Sequence, residues 1–421
     1  MERVKKIFTL LENGQHKEAL NEYNEVLKYG MPDEKFLLGE ELFQLGFLDE
    51  AKALFENLLE LYSEEGELLV LLGEIFIELG NEEDAILMLE RISETDPVFP
   101  EALLLLADLY QMQGLFEVSE RKILQAKKIL PDEIVVDFAL GELYSEQGEI
   151  KKAILAYESV LKEQAEVAGI NIHHRLANLL SNSGAFEEAL PYYERALDEK
   201  LEIDTLFGYA FTALQGEYYR TAIEKFLALK ELDPDYHSLY LPLAQAYEQE
   251  EELEKSFNTI MQGIKQDEFN KELYYFGGRL ALKLGKEQVA EDLFRGALAL
   301  DPGFMESALA LNKLFLHQEK YENVVDLIEA LEIQEEEEPQ LLWDVAVALH
   351  RLEDYQKALD KYELAYTYFK NNEGFLTDYG YFLIEEGKKD RAGEIFKQLV
   401  KKDPTNEEYL DVLARLTDME Y

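Results

Sequence analysis

The chain has 421 residues, 47% of them hydrophobic and 31% charged, and contains no cysteine. Asp and Glu total 88 against 41 Lys and Arg, a formal charge of −47, and the first 150 residues are the most acidic, with 34 acids against 12 bases. Phosphate binding needs clustered cations that release counterions, so this balance argues against a nucleic-acid partner and against an anionic membrane surface. It suits a basic protein or peptide, or simply keeps a long chain soluble. Without cysteine there is no disulfide framework, thiol nucleophile or cysteine metal site.

The N-terminal stretch MERVKKIFTLLENG carries charges and a short apolar run, so it does not read as a signal peptide. The aliphatic stretch Leu103–Ala107 is too short to cross a bilayer. The expectation is a cytoplasmic protein without membrane insertion.

Taken in order, the chain repeats one motif. From Gly66 to Phe99 it reads as two short helices and a turn: Leu69, Leu72, Gly73 and Phe76 at helical spacing, then Ala85 and Leu89, then Asp96-Pro97. The small residue of the second helix recurs at Ala19, Ala51, Ala85, Ser119, Ala153, Ala189, Ala222, Ser256, Ala290, Val324, Ala358 and Ala392. Most steps are 34 residues. Four residues later stands a large apolar side chain, as in Tyr23, Phe55, Leu89, Tyr157, Phe294 and Phe396. Twelve residues earlier stands another small residue, as in Gly39, Gly73, Ala107, Gly141, Gly278 and Gly380; the tenth repeat has Asn312 there and the first has Ile7. Small residues let helices approach, and the large one fills the space between neighbouring pairs. Gly46, Gly80, Gly114, Gly148, Gly184 and Gly387 end first helices. Asn81 is expected to cap the helix after it. Pro97, Pro131, Pro234, Pro302 and Pro404 mark repeat ends.

Over essentially its full length the chain resembles the tetratricopeptide-repeat family, although Leu69 and Leu103 stand where the family's first-helix Trp is common. The resemblance implies an all-α fold, a right-handed superhelical α-solenoid. Twelve helix pairs are expected over 1–404 and a capping helix over 405–421, with Asn406 starting it and Leu410, Leu413 and Ala414 on its core face. Arg3 and Lys6 give the first repeat a polar outer face. One 36-residue step, near Gln164–Gly169, is a possible subdivision into 1–165 and 170–404; a slightly longer second helix is the simpler reading. The run Glu335–Glu338 reads as a solvated loop.

No catalytic segment is left over, and Gly-x-Gly-x-x-Gly, P-loop and Gly-x-Ser-x-Gly motifs are absent from the sequence. His16, His173, His174, His237, His317 and His350 form no metal-ligand spacing. The expectation is no enzyme, no cofactor and no metal.

In this family the first helices line a concave groove. The resemblance therefore implies groove positions just after the first-helix small residue: Glu40, Glu74, Asp108 and Glu142, a ladder of carboxylates, then Asn178, Phe211, Arg279, Lys313 and Tyr381 in later repeats. Phe36, Phe43, Ile77 and Phe138 lie three or four residues away on the same helical faces, and Tyr275 and Trp343 add aromatic anchors. His174 and Gly208 replace the Lys and Asn that a family variant uses to clamp a C-terminal carboxylate, so no such clamp is expected. The reading is a scaffold or adaptor holding a basic or amphipathic protein segment. A peptide-responsive sensor, or an assembly factor using its convex face, are the alternatives.

Overall fold

The computed structural model describes residues 2–330 and 338–418. The acidic run Glu335–Glu338 therefore lies, but for Glu338, outside the described residues. Among the described residues the fold is all-α, with twenty-five α-helices and one two-stranded hairpin. Twenty-four of the helices follow one another as twelve helix–turn–helix repeats, whose two helices pack together in repeats one to six and eight to twelve, as in Gly66–Glu78 with Glu82–Leu89, and the last helix, Glu407–Asp418, packs on Lys389–Lys402. Two compact units share the chain, Met1–Thr212 and Ala213–Tyr421. Among the described residues no helix is long and apolar enough to cross a membrane.

The repeat register is a packing register. Every one of the twelve small second-helix residues is at most 2% exposed, and the large residue four positions later is at most 7% exposed. The structure also corrects where the large residue goes. In the repeats with Gly39, Gly73, Gly141, Gly278 and Gly380 it packs on the first helix of its own repeat, directly over the small residue sixteen positions earlier. A Cβ added to Gly39 would lie 2.7 Å from the Phe55 ring, one on Gly141 2.6 Å from the Tyr157 ring, and one on Gly278 2.5 Å from the Phe294 ring. Carbon atoms attract best near 3.5–4.0 Å, so at these positions only a hydrogen fits.

First helices end in a left-handed residue. Gly80 has φ +74°, and the next N–H, that of Asn81, reaches back to the Phe76 carbonyl at 2.8 Å. This places Asn81 in the turn, where its side chain makes no cap hydrogen bond, contrary to expectation. In four repeats a glutamate takes the same conformation: Glu217, Glu251, Glu319 and Glu353, with φ between +56° and +64°. The pattern of turn glycines thus understates how regular the turn is.

The 36-residue step is not a longer helix. The second helix Ile150–Leu161 ends on time, and the extra residues form a hairpin, Glu166–Val167 against Ile170–Asn171. Ala168 and Gly169 both have positive φ, at +50° and +80°, as a two-residue hairpin turn of matching twist requires. Val167 anchors the hairpin in the core at 4% exposure.

At the two ends, Arg3 and Lys6 are exposed while Val4 and Ile7 are buried. Asn406 caps the last helix, its side-chain oxygen accepting from the Glu408 and Tyr409 N–H groups at 3.1 and 3.2 Å. The inward face of that helix is Tyr409, Val412, Leu413 and Leu416; Leu410, at 42%, and Ala414 are exposed, a one-residue rotation from the expected face.

Candidate functional site

Within the first unit the first helices of successive repeats touch, as Gly66–Glu78 touches Phe99–Met112, which in turn touches Ile134–Glu146. The ladder residues lie on these helices. Glu40 and Glu74 are half-buried and Asp108 is exposed. Among the described residues none of the three has an ion pair. Each carboxyl is instead held above its ordinary range. Partial desolvation is the largest cause in all three, followed by Glu67 and Glu41 for Glu40, by Glu101 and Glu78 for Glu74, and by Glu146 for Asp108. Each of the three thus has a further carboxylate beside it. Glu67 and Glu101, 34 residues apart, stand in the first turn of the next repeat's first helix. Sequence reasoning missed this second row, although the same 34-residue alignment contains it.

The fourth rung differs. Glu142 accepts from the Tyr157 hydroxyl at 2.5 Å and forms an ion pair with Arg175, whose Nε lies 3.2 Å away. The unpaired acidic face therefore covers repeats two to four and stops where Arg175 enters.

The apolar residues beside the ladder serve two purposes. Phe36 and Phe138 are half-buried, with ring centroids 5.9 and 6.3 Å from Phe55 and Tyr157, the side chains that cover the small residues. Phe43 and Ile77 are also half-buried and pack against the core. Each keeps an edge at the surface beside a carboxylate. Phe211 is 41% exposed and stacks on Phe207 at 5.9 Å and 17°. Asn178 is already engaged, through the Tyr193 hydroxyl at 2.6 Å and His174 Nε2 at 2.8 Å.

In the second unit Tyr275 and Lys313 line one cleft of about 600 Å³ together with Leu282, Leu309, Leu314 and His317. Tyr275 is held edge-on to Phe304 at 5.4 Å. Arg279 lies over the Tyr275 and Phe276 rings at 6.0 and 5.5 Å, and 3.8 Å from Glu248, which Lys283 also contacts at 2.7 Å. Trp343 donates its indole N–H to Asp378 at 3.0 Å and packs 5.5 Å from both Phe369 and Phe375. The Tyr381 hydroxyl donates to Glu408 on the closing helix; burial and then that carboxylate push its pKa up to about 12. Trp343 and Tyr381 thus join repeats to their neighbours, whereas Tyr275 and Lys313 present a surface. Among the described residues no group of three His, Asp or Glu is placed to hold a metal ion.

Four family models match: YpiA-like C-terminal tetratricopeptide repeats over 339–406, YpiA-like tetratricopeptide repeats over 111–165, and tetratricopeptide repeats over 42–109 and 172–204. The TPR repeat-containing protein YpiA of Bacillus subtilis (strain 168) is 42% identical over 415 residues, spanning 99% of this chain and 98% of that protein. Among solved structures, a tetratricopeptide repeat protein from Parabacteroides merdae ATCC 43184 is 20% identical, with 60% of this chain and 98% of that one covered and a TM-score of 0.41. YrrB, a TPR protein with an unusual peptide-binding site, is 16% identical over 47% of this chain and 97% of its own, with a TM-score of 0.38. With twelve helix pairs in register and 42% identity across nearly the whole of both chains, this chain belongs to the YpiA-like tetratricopeptide-repeat family, a protein-interaction scaffold built from repeats.

Proposed function

We propose that the protein is a cytoplasmic, non-enzymatic scaffold that holds a basic or amphipathic protein segment against the first helices of repeats two to four. The observation that carries this reading is the state of Glu40, Glu74 and Asp108. They recur one per repeat, have no ion pair among the described residues, and are held above their ordinary range by partial desolvation first and then by neighbouring carboxylates. Packing alone gives no reason for such a row, since like charges side by side destabilise the free protein. A cationic segment relieves that repulsion when it binds.

The chemistry divides between two kinds of contact. Phe36, Phe43 and Ile77 offer apolar edges that give affinity, while the carboxylates select positive charge and speed encounter. Helices packed about 10 Å apart put successive rungs roughly three residues of extended chain from one another. The favoured ligand therefore carries Lys or Arg at about every third position, with apolar side chains between. The Tyr275–Lys313 cleft is a second, independent contact for an apolar side chain of a partner.

The test is capture of partners from the native cell with the wild type and with a Glu40→Gln, Glu74→Gln, Asp108→Asn variant, followed by titration of the recovered partner at low and high salt. The reading expects the variant to bind more weakly and with a flatter salt dependence. Equal affinity at low salt would remove its basis.

A further inference from the structure

One polar chain on the first-helix face of repeats six and seven stands apart from the acidic ladder. Thr205 Oγ1 lies 2.8 Å from His174 Nδ1; His174 Nε2 lies 2.8 Å from Asn178 Nδ2; the Tyr193 hydroxyl donates to Asn178 Oδ1 at 2.6 Å. Beyond Tyr193 the chain continues, with Thr212 Oγ1 at 3.4 Å and Ser181 Oγ 2.7 Å from Thr212 Oγ1. Thr205, Tyr193 and Thr212 are at most 2% exposed, while His174 and Asn178 are half-buried.

The donors and acceptors fix the protons. A carboxamide that accepts from Tyr193 through Oδ1 turns its N–H toward His174, so Nε2 must be the bare, accepting nitrogen. The neutral imidazole then carries its proton on Nδ1 and donates it to Thr205. A proton added at Nε2 would face the Asn178 amide N–H. One rearrangement removes that clash: the carboxamide turns over, Oδ1 accepts from Nε2–H, and Nδ2 donates to the Tyr193 oxygen. The Tyr193 hydroxyl is then free to donate to Thr212, reversing the direction of the bond between them. In both arrangements the amide donates one hydrogen bond and accepts one.

We propose that His174, Asn178 and Tyr193 form a two-state hydrogen-bond relay between repeats six and seven, with the proton on His174 setting its direction. The charged groups around it oppose one another. Arg175, next in the chain, disfavours the imidazolium; Glu202 and Asp204, at the start of the seventh repeat, favour it; burial disfavours it most, and the net effect holds the His174 pKa below the ordinary histidine value. Arg175 is partly neutralised by Glu142 at 3.2 Å. The Tyr193 ring stands edge-on to the imidazole at 6.2 Å and stacks on Tyr209 at 5.9 Å, so the relay is clamped from the second helix as well. At neutral pH the relay rests in the first arrangement, and acidification turns it over.

The experiment is ¹⁵N NMR of the histidine rings in the full-length protein, with His174 assigned from the resonance lost in His174→Asn. The relay expects His174 as the Nδ1–H tautomer at neutral pH, titrating below the ordinary histidine value. Tyr193→Phe removes the donor that orients the amide and should shift the midpoint upward. Asn178→Asp supplies an acceptor to Nε2 and should shift it above that of an ordinary histidine, with the proton moved to Nε2. An Nε2–H tautomer in the wild type overturns the proposal. So does an unchanged midpoint in both variants, provided their circular dichroism matches the wild type.

Discussion

Replacing Gly141 by Ala tests whether the repeat register is set by contact between the large residue and the small one. A Cβ at Gly141 would lie 2.6 and 2.7 Å from two Tyr157 ring carbons and 3.1 Å from a third. The ring has little room to retreat. It is 1% exposed, lies near Phe138 at 6.3 Å, and is tethered by its hydroxyl to Glu142 at 2.5 Å. Overpacking of this kind costs about 1–3 kcal/mol, and loss of the Tyr157–Glu142 bond adds about 1 kcal/mol. Against this, Ala in a helix interior gains about 1 kcal/mol over Gly. The net expectation is destabilisation by about 1–3 kcal/mol. Gly393, inside the helix Lys389–Lys402, is the control: a Cβ there meets nothing within 4 Å, so Gly393→Ala should stabilise by about 1 kcal/mol. Calorimetry of both variants, with amide hydrogen exchange in the fifth repeat, should give shifts of opposite sign, each of a few degrees, at about 2–4 °C per kcal/mol. Equal stabilisation by both substitutions would refute the contact argument.

Three further predictions concern charge and turns. Glu40→Gln, Glu74→Gln and Asp108→Asn together should stabilise the free protein at neutral pH by about 1 kcal/mol at low salt, since like-charge neighbours cost about 0.2–0.5 kcal/mol each. Their folded carboxyl pKa values are raised, so stability from these groups is present below the unfolded value and lost as pH rises through the folded one. The variant's advantage in denaturant melts should therefore vanish near pH 4 and in high salt. Replacing Glu217, Glu251, Glu319 or Glu353 by Gly should each raise the melting midpoint, because a left-handed residue with a Cβ costs about 1–2 kcal/mol and the entropy lost by Gly offsets part of the gain. His174, with its folded pKa lowered, gives stability that is full above the unfolded value and falls away as pH drops below about 6.5; His174→Asn should flatten that part of a pH–stability profile.

The sequence made the repeat count readable because the demand is local and periodic. A small residue every 34 positions, a large one four later and a turn after each first helix are all one-dimensional signals. What escaped it was which side chains pair across helices, within a repeat and between repeats. That Phe55 covers Gly39 depends on how two helices cross, and that Trp343 bonds Asp378 or Tyr381 bonds Glu408 depends on neighbours 35 and 27 residues away. The hairpin at Ala168-Gly169 was hidden because its strands are two residues each, too short for any alternation to show. Glutamates in left-handed turns carry no compositional signal at all. The ladder was visible as residue types, but its chemistry was not: Glu142 is consumed by Tyr157 and Arg175, while Glu40, Glu74 and Asp108 gain company from Glu67, Glu101 and Glu146.

The most direct test of the account is the salt dependence of partner binding, measured by titration calorimetry for the wild type and the Glu40→Gln, Glu74→Gln, Asp108→Asn variant. The account predicts that the wild type binds more tightly at low salt, that its advantage shrinks as salt screens the carboxylates, and that the variant is the more stable of the two when unliganded. Identical affinities and identical salt slopes would contradict it, and would move the binding surface away from the first helices of repeats two to four.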